Sequence, residues 1–102
     1  MRELKTYTNK DLDKLVCTYV FETEFNDDTP SYSSNIMAAW EVVKRLGEMG
    51  YTVHIEWKGK DRHYHNTAEV SVNKAIYTIG HAVGDIEKSI CVAAINAAQA
   101  KI

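Results

Sequence analysis

The stretch YTVHIEW, residues 51–57, decides the fold, because apolar and polar residues alternate along it with the two-residue period of a half-buried β-strand. A charged turn at residues 58–61 predicts a second strand from about 62 to 72. A tight hairpin at residues 73–74 then leads into a third strand, 75–79. Strands joined by such short turns are neighbours and antiparallel, so the middle of the chain predicts a three-stranded antiparallel sheet.

Amphipathic helices are predicted on either side of this ribbon in the sequence. The first covers residues 8–20, with Thr8 and Asp11 forming a capping box. The second follows the N-cap candidate Ser33 and ends at Gly50, and the last begins at Asp85. The third strand has apolar residues on both of its faces, which favours helices on both sides of the sheet. The predicted class is therefore α+β, in the order α-α-β-β-β-α.

Three side chains within these helices are predicted to lie in the core. Trp40 falls on the apolar stripe of the second helix, where an aromatic ring is most often buried. Cys17 and Cys91 occupy apolar positions and are predicted to be free buried thiols, as is typical of a reducing compartment.

Composition limits the class of protein. The hydrophobic share of 45% and the charged share of 25% are those of a globular chain, so residues 1–102 are expected to form one domain. A core this small favours a homo-oligomer. The formal net charge of −2 lacks the basic surface that duplex nucleic acid requires. No apolar run is long enough to span a bilayer, so a cytoplasmic location is expected.

Three segments together resemble the phage ABA-sandwich domain family: YSSNIMAAWEVVKRL at 32–46, YTVHIEW at 51–57 and DIEKSICVAAINAA at 85–98. The resemblance extends from about Leu12 to Ala98. It implies a helix-sheet-helix sandwich encoded by a bacteriophage or prophage, in a family with no established catalytic residues. It also implies the host cytoplasm during infection as the place of action.

A group of potential metal ligands alternates along the first two strands: His54, Glu56, His63 and His65. The predicted register pairs Ile55 with Tyr64, because this keeps the apolar side chains on a common face. His54 would then oppose His65. Glu56 would oppose His63, and all four side chains would share one face that could hold zinc. A polar outer face or an interface is the other interpretation.

Other residues are predicted to contact a ligand or a partner. Trp57 ends a strand beside a charged turn, so its indole is either packed at the strand end or exposed for stacking. Tyr32 precedes a helix start that attracts anions, although it can also be purely structural. The predicted contact residues are Tyr32, Trp57, Arg62, His63, Tyr64 and His65.

The sequence contains no pattern of a nucleophile with its base and no phosphate loop, so we expect no enzyme, no catalytic residue and no cofactor. Three functions stay open. One is a phage accessory protein that disables a host defence by binding a nucleotide-like immune signal or a defence protein. Another is a structural or regulatory phage module that assembles with itself. The last is a metal-dependent enzyme that uses the face of His54, His63 and His65.

Overall fold

The computed structural model describes residues 7–60 and 66–100 of the chain. The elements are α1 (Asn9–Val16), a π-helical turn (Cys17–Phe21), α2 (Ile36–Glu48), β1 (Thr52–Lys60), β2 (Asn66–Lys74), β3 (Tyr77–Asp85) and α3 (Ile86–Gln99). The strands form one antiparallel sheet in the order β1-β2-β3. The predicted α+β class and the order α-α-β-β-β-α are therefore confirmed. That residues 1–102 form one domain stays a prediction.

The register of the first hairpin differs from the predicted one. Ile55 pairs with Val70, so the prediction that it pairs with Tyr64 is wrong. β1 continues through the charged residues to Lys60, with an irregularity between Trp57 and Gly59 that the left-handed φ of 83° at Gly59 accommodates. Lys58 and Lys60, which suggested a turn, lie within β1, and Asp61 lies outside the described residues.

The second hairpin turns at Ala75–Ile76 instead of at residues 73–74, because Lys74 pairs with Tyr77. Ala75 adopts a left-handed φ of 55° in this two-residue turn. β3 then extends to Asp85, beyond the predicted end at residue 79. Gly80 lies inside the strand and is buried against α3. A Cβ on Gly80 would overlap the Ala93 carbonyl oxygen.

The ends of the first two helices follow local chemistry. The capping box is confirmed, since the Asp11 amide donates to Thr8 Oγ1 at 3.1 Å and the Thr8 amide donates to Asp11 Oδ2 at 3.2 Å. The predicted single helix over 8–20 is instead α1 followed by the π-helical turn, which ends at Glu22 with a left-handed φ of 55°. The N-cap of α2 is Asn35 and not Ser33, because Asn35 Oδ1 accepts the Met37 amide at 2.9 Å.

The predicted stop at Gly50 is confirmed. Gly50 has a φ of 93°, and its amide donates to the Gly47 carbonyl at 3.1 Å. The Tyr51 amide donates to the Leu46 carbonyl at 3.0 Å, which completes a Schellman motif. The motif turns the chain sharply from α2 into β1.

The hydrophobic core lies between one face of the sheet and α3, with α1 and α2 packed against α3. The larger fully buried side chains are Leu12, Val16, Val20, Val42, Leu46, Val70, Val72, Ile90 and Ile95. Cys17 and Cys91 are buried free cysteines, as predicted. Trp40 is 46% exposed, so its predicted burial is wrong. The stripe that α2 buries instead consists of Ala39, Val42 and Leu46, which leaves the indole at its margin.

Helices were expected on both faces of the sheet, and within the described residues they cover one face. Ala68, Val70 and Val72 of β2 are buried on the helix side. The side chains that alternate with them point to the other face. There His54 of β1 and His81 of β3 are exposed to solvent, so the helices described do not cover this side.

Candidate functional site: the open face of the sheet

We call the sheet surface that faces away from α3 the open face. Its residues are Thr52, His54, Glu56 and Lys58 of β1, Thr67, Glu69, Ser71 and Asn73 of β2, and Thr78, His81, Val83 and Asp85 of β3. Pairing across the three strands arranges them in rows. His54, Ser71 and His81 form one row, and the next contains Glu56, Glu69 and Val83.

A network of charged groups is centred on Glu69. A hydrogen bond of 2.7 Å joins His81 Nε2 to Glu69 Oε2, with the imidazole as donor because an ionised carboxylate only accepts. Lys58 Nζ lies 3.4 Å from Glu69 Oε1 and 3.5 Å from Glu56 Oε1. The network therefore links all three strands across the open face.

This network shifts the titration of its members. The hydrogen bond from His81, followed by the contact with Lys58, lowers the pKa of Glu69 below its ordinary value. The neighbouring Glu56 carboxylate, followed by the hydrogen bond to Glu69, raises the pKa of Lys58. These groups are exposed, so their ion pairs contribute little to folding. Their alternating charges instead give the open face a defined electrostatic pattern.

Two apolar side chains stand exposed near these charges. Val83 is 60% exposed in the row of Glu56 and Glu69, so folding of a single copy leaves most of it in contact with water. Trp57 is 58% exposed, and it lies opposite Ala68 on the helix side of the sheet near the hairpin end. The indole was predicted to be either packed at the strand end or exposed for stacking, and its exposure favours the second interpretation. That Trp57 binds a ligand or a partner stays a prediction.

The predicted alignment of metal ligands is wrong in the part that the structure describes. His54 lies opposite Ser71 and not His65, and Glu56 lies opposite Glu69 and not His63. Within residues 7–60 and 66–100, no group of three or more His, Cys, Asp or Glu side chains is arranged to hold a metal.

Four of the predicted contact residues, Arg62, His63, Tyr64 and His65, lie outside the described residues. Their predicted roles stay predictions.

Tyr32 is a packing residue. It is 6% exposed, and its ring stacks on Phe21 with centroids 5.1 Å apart and planes inclined by 14°. Burial removes the Tyr32 phenol from water and raises its pKa. The nearby Cys17 also raises this pKa, to a smaller extent. The predicted contact between Tyr32 and a ligand stays a prediction, and the structure gives its ring a role in the core.

Ser33, predicted as a helix cap, instead ties the loop before α2 to α1. Asp13 is 7% exposed, and its Oδ1 accepts from the Ser33 amide and lies within hydrogen-bond distance of Ser33 Oγ, both at 2.8 Å. Ser33 Oγ also lies 3.0 Å from the Asn9 carbonyl oxygen. A buried carboxylate requires such donors, so this contact fixes the acidic loop against the helix.

A shallow cleft of about 360 Å³ lies beside this contact, between α1 and the acidic loop. Its lining includes Lys10, Asp13, Asp27 and the ring of Phe25. The acidic residues in this lining outnumber the single lysine, which disfavours a ligand with several phosphate groups.

Glu69 and His81 were not recognised as site residues from the sequence. The alternation of Glu69, Ser71 and Asn73 with buried residues could have placed the first of them on the outer face. His81 was missed because the predicted third strand ended at residue 79, whereas β3 continues through two glycines to Asp85.

The chain forms an α+β domain in which amphipathic helices pack on a three-stranded antiparallel sheet. A family model described as the phage ABA sandwich domain matches residues 5–95. The chain therefore belongs to the phage ABA sandwich domain family, and the resemblance found in the sequence is confirmed. No curated protein and no solved structure matches the chain.

The helices were also compared with the length and apolarity that a bilayer requires. None of those within residues 7–60 and 66–100 could cross a membrane.

Proposed function

We propose that this protein is a non-enzymatic bacteriophage accessory protein that acts in the host cytoplasm by binding and occluding a host defence protein. The observation that carries the proposal is the open face of the sheet. The described helices leave it uncovered, and it combines a fixed charge network with the exposed Val83.

The shape of this surface favours a macromolecular partner. The open face is the surface of a three-stranded sheet lined mainly by polar side chains, whereas small-molecule sites are concave and mostly apolar. The Glu56–Lys58–Glu69–His81 network places positive and negative groups at defined positions across three strands. Complementary charges of this kind determine which partner binds and how fast. Val83 supplies an apolar contact among them.

The described nucleophilic side chains support a binding role instead of catalysis. Cys17 and Cys91 are buried, and burial raises the pKa of the Cys91 thiol, which keeps it protonated. The Ser33 hydroxyl is held by the buried Asp13 carboxylate and the Asn9 carbonyl. None of these groups faces a surface that a substrate could reach.

Sequestration of a nucleotide-like signal is the alternative mode of binding. The cleft beside α1 has Asp13 and Asp27 in its lining against Lys10, and this excess of acidic residues is unfavourable for phosphates. The geometry of the described residues therefore supports a protein partner better than a nucleotide.

The experiment is to express the chain in cells that carry a panel of antiphage systems and to measure plaque formation with each. We expect at least one system to lose its protection. Lys58→Glu would replace the central cation of the network by a third carboxylate and abolish the effect. Lys44→Glu reverses an exposed charge on α2, away from the open face, and serves as the matched control.

Circular dichroism would be used to check that both variants fold. A panel in which no system loses protection would contradict the proposal, as would full activity of Lys58→Glu. A large thermal shift of the purified protein with one cyclic or linear nucleotide signal would instead identify sequestration as the mode of action.

A further inference from the structure

We propose that the outer edge of β3 pairs with the same edge of a second copy of the chain. The two strands run antiparallel and are centred on Val83, so that the two sheets join into one of six strands, three from each copy. This inference concerns assembly, and of its arguments only the one from interface area rests on the proposed function.

The two edge strands of the sheet differ in their protection against such pairing. Natural proteins block open edges with lysines, other charges and β-bulges. β1 carries Glu56 and Lys58, and its pairing is irregular between Trp57 and Gly59. β3 reads YTIGHAVGD, without lysine, arginine or proline, and its own irregular pairing with β2 lies between Thr78 and Gly80, before the segment 80–85. The strand most open to a further neighbour is therefore β3.

The backbone of β3 is suited to accept another strand. From Gly80 to Asp85 every residue pairs in unbroken register with β2, and this pairing continues through Gly84, whose φ is 149°. Within the described part of the chain, β2 is its only strand neighbour. Its outward-directed amide and carbonyl groups therefore form a row of donors and acceptors that an identical strand can satisfy.

The side chains on the open face select the register. When Val83 lies opposite Val83 of the second copy, the two exposed valines bury one another. His81 then lies opposite Asp85 of the second copy, and the same contact repeats on the other side of the two-fold axis. An imidazolium and a carboxylate facing one another across a strand pair are attractive. Centring the pair on His81 would instead place two imidazoles together.

Asp85 is available for this contact. It occupies the N-cap position of α3, but its side chain makes no capping hydrogen bond and is exposed. The start of α3 is also a favourable place for an acidic residue, because the helix dipole is positive there.

The dimensions of the sheet also favour pairing. Strands of nine residues are about 30 Å long, and three of them are about 14 Å wide, so one open face covers about 400 Å². A standard protein interface buries about 800 Å² on each partner. Two copies joined edge to edge provide a continuous surface of that size.

Sedimentation velocity on the full chain over a range of concentrations tests the proposal. We expect a reversible dimer. Val83→Lys places two like charges at the two-fold axis and raises the dimer Kd about tenfold or more. Thr78→Lys is the matched control, because it adds the same charge to an exposed position on the same strand and face but outside the paired segment. This variant keeps the dimer.

A cysteine cross-link tests the register. Val83→Cys would form an intermolecular disulfide under mild oxidation, because directly opposed residues have Cα atoms about 4.5–5.5 Å apart. His81→Cys would cross-link poorly. A chain that stays monomeric over the concentration range, or a dimer unaffected by Val83→Lys, would overturn the proposal. Loss of the dimer in Thr78→Lys, or efficient cross-linking only at residue 81, would overturn the register.

Discussion

Replacing Gly80 by alanine tests the packing of α3 on the sheet. A Cβ at this position would overlap the Ala93 carbonyl oxygen and lie 3.0 Å from both the amide nitrogen and the Cβ of Ala97. Most of these atoms belong to the α3 backbone, so rotation of a side chain cannot relieve the contact. The helix would have to retreat from the sheet by about 1 Å, and a gap of that size forfeits about a quarter to a half of the dispersion energy of each contact.

The helix that must move is the most buried one in the described part of the chain, with Ile90 and Ile95 fully inaccessible. We therefore expect Gly80→Ala to lower the free energy of unfolding by about 3 kcal/mol or more, at the upper end of what overpacking costs. For a domain of this size that corresponds to a fall in Tm of about 12 °C or more.

Urea denaturation followed by far-UV circular dichroism measures the change. Gly47→Ala is the matched control, because Gly47 lies inside α2 and a Cβ there would have no neighbour within 4 Å. This variant should gain about 0.5–1 kcal/mol, since alanine is the better helix former. A Gly80→Ala protein within about 0.5 kcal/mol of the wild type would refute the close approach of α3 to β3.

Three further outcomes follow from contacts in the same structure. Ser33→Ala should cost about 1.5–3 kcal/mol in urea denaturation, because it removes a donor to a buried carboxylate, whereas Ser34→Ala should be neutral. The Glu69 carboxyl should titrate below 4.5 by NMR, and His81→Ala should raise its pKa. Because the folded pKa is the depressed one, the stabilisation is complete above pH 4.5 and is lost as the pH falls through the folded value. The Cys91 thiol should resist a thiol reagent at neutral pH until denaturant is added; rapid labelling of the native protein would contradict its burial.

Much of the fold could be predicted because local signals agreed with the tertiary arrangement. The alternation at residues 51–57, the capping box at Thr8 and the glycine stop at Gly50 all describe interactions between near neighbours in sequence. Such signals depend little on distant parts of the chain. The element order therefore followed from the sequence, and the family match supports the same architecture.

The errors arose where a distant contact determined the outcome. Lys58 lies in a strand because β1 pairs with β2 on both sides of it, Trp57 with Ala68 and Gly59 with Thr67. Gly80 is compatible with β3 because α3 approaches too closely for any side chain. Ser33 is recruited by Asp13 from the preceding helix, which leaves the cap of α2 to Asn35.

The candidate site was predicted only in outline. A polar outer face was anticipated from His54 and Glu56, but its partners were assigned through the wrong register. Register depends on where a hairpin turns, and in this chain both turns fall later than the glycine, lysine and asparagine residues suggest. A shift of this kind replaces every cross-strand neighbour, so the charge network could not be inferred.

The junction between β3 and α3 contains no connecting residue, since Asp85 ends the strand and Ile86 begins the helix. Because no linker separates them, β3 cannot shift sideways unless the first turn of α3 moves with it. A strand that pairs with the edge of β3 would therefore also restrain α3. We expect such pairing to slow amide hydrogen exchange in α3. Binding at the edge of the sheet is thus coupled to the rigidity of the helix that fills the core.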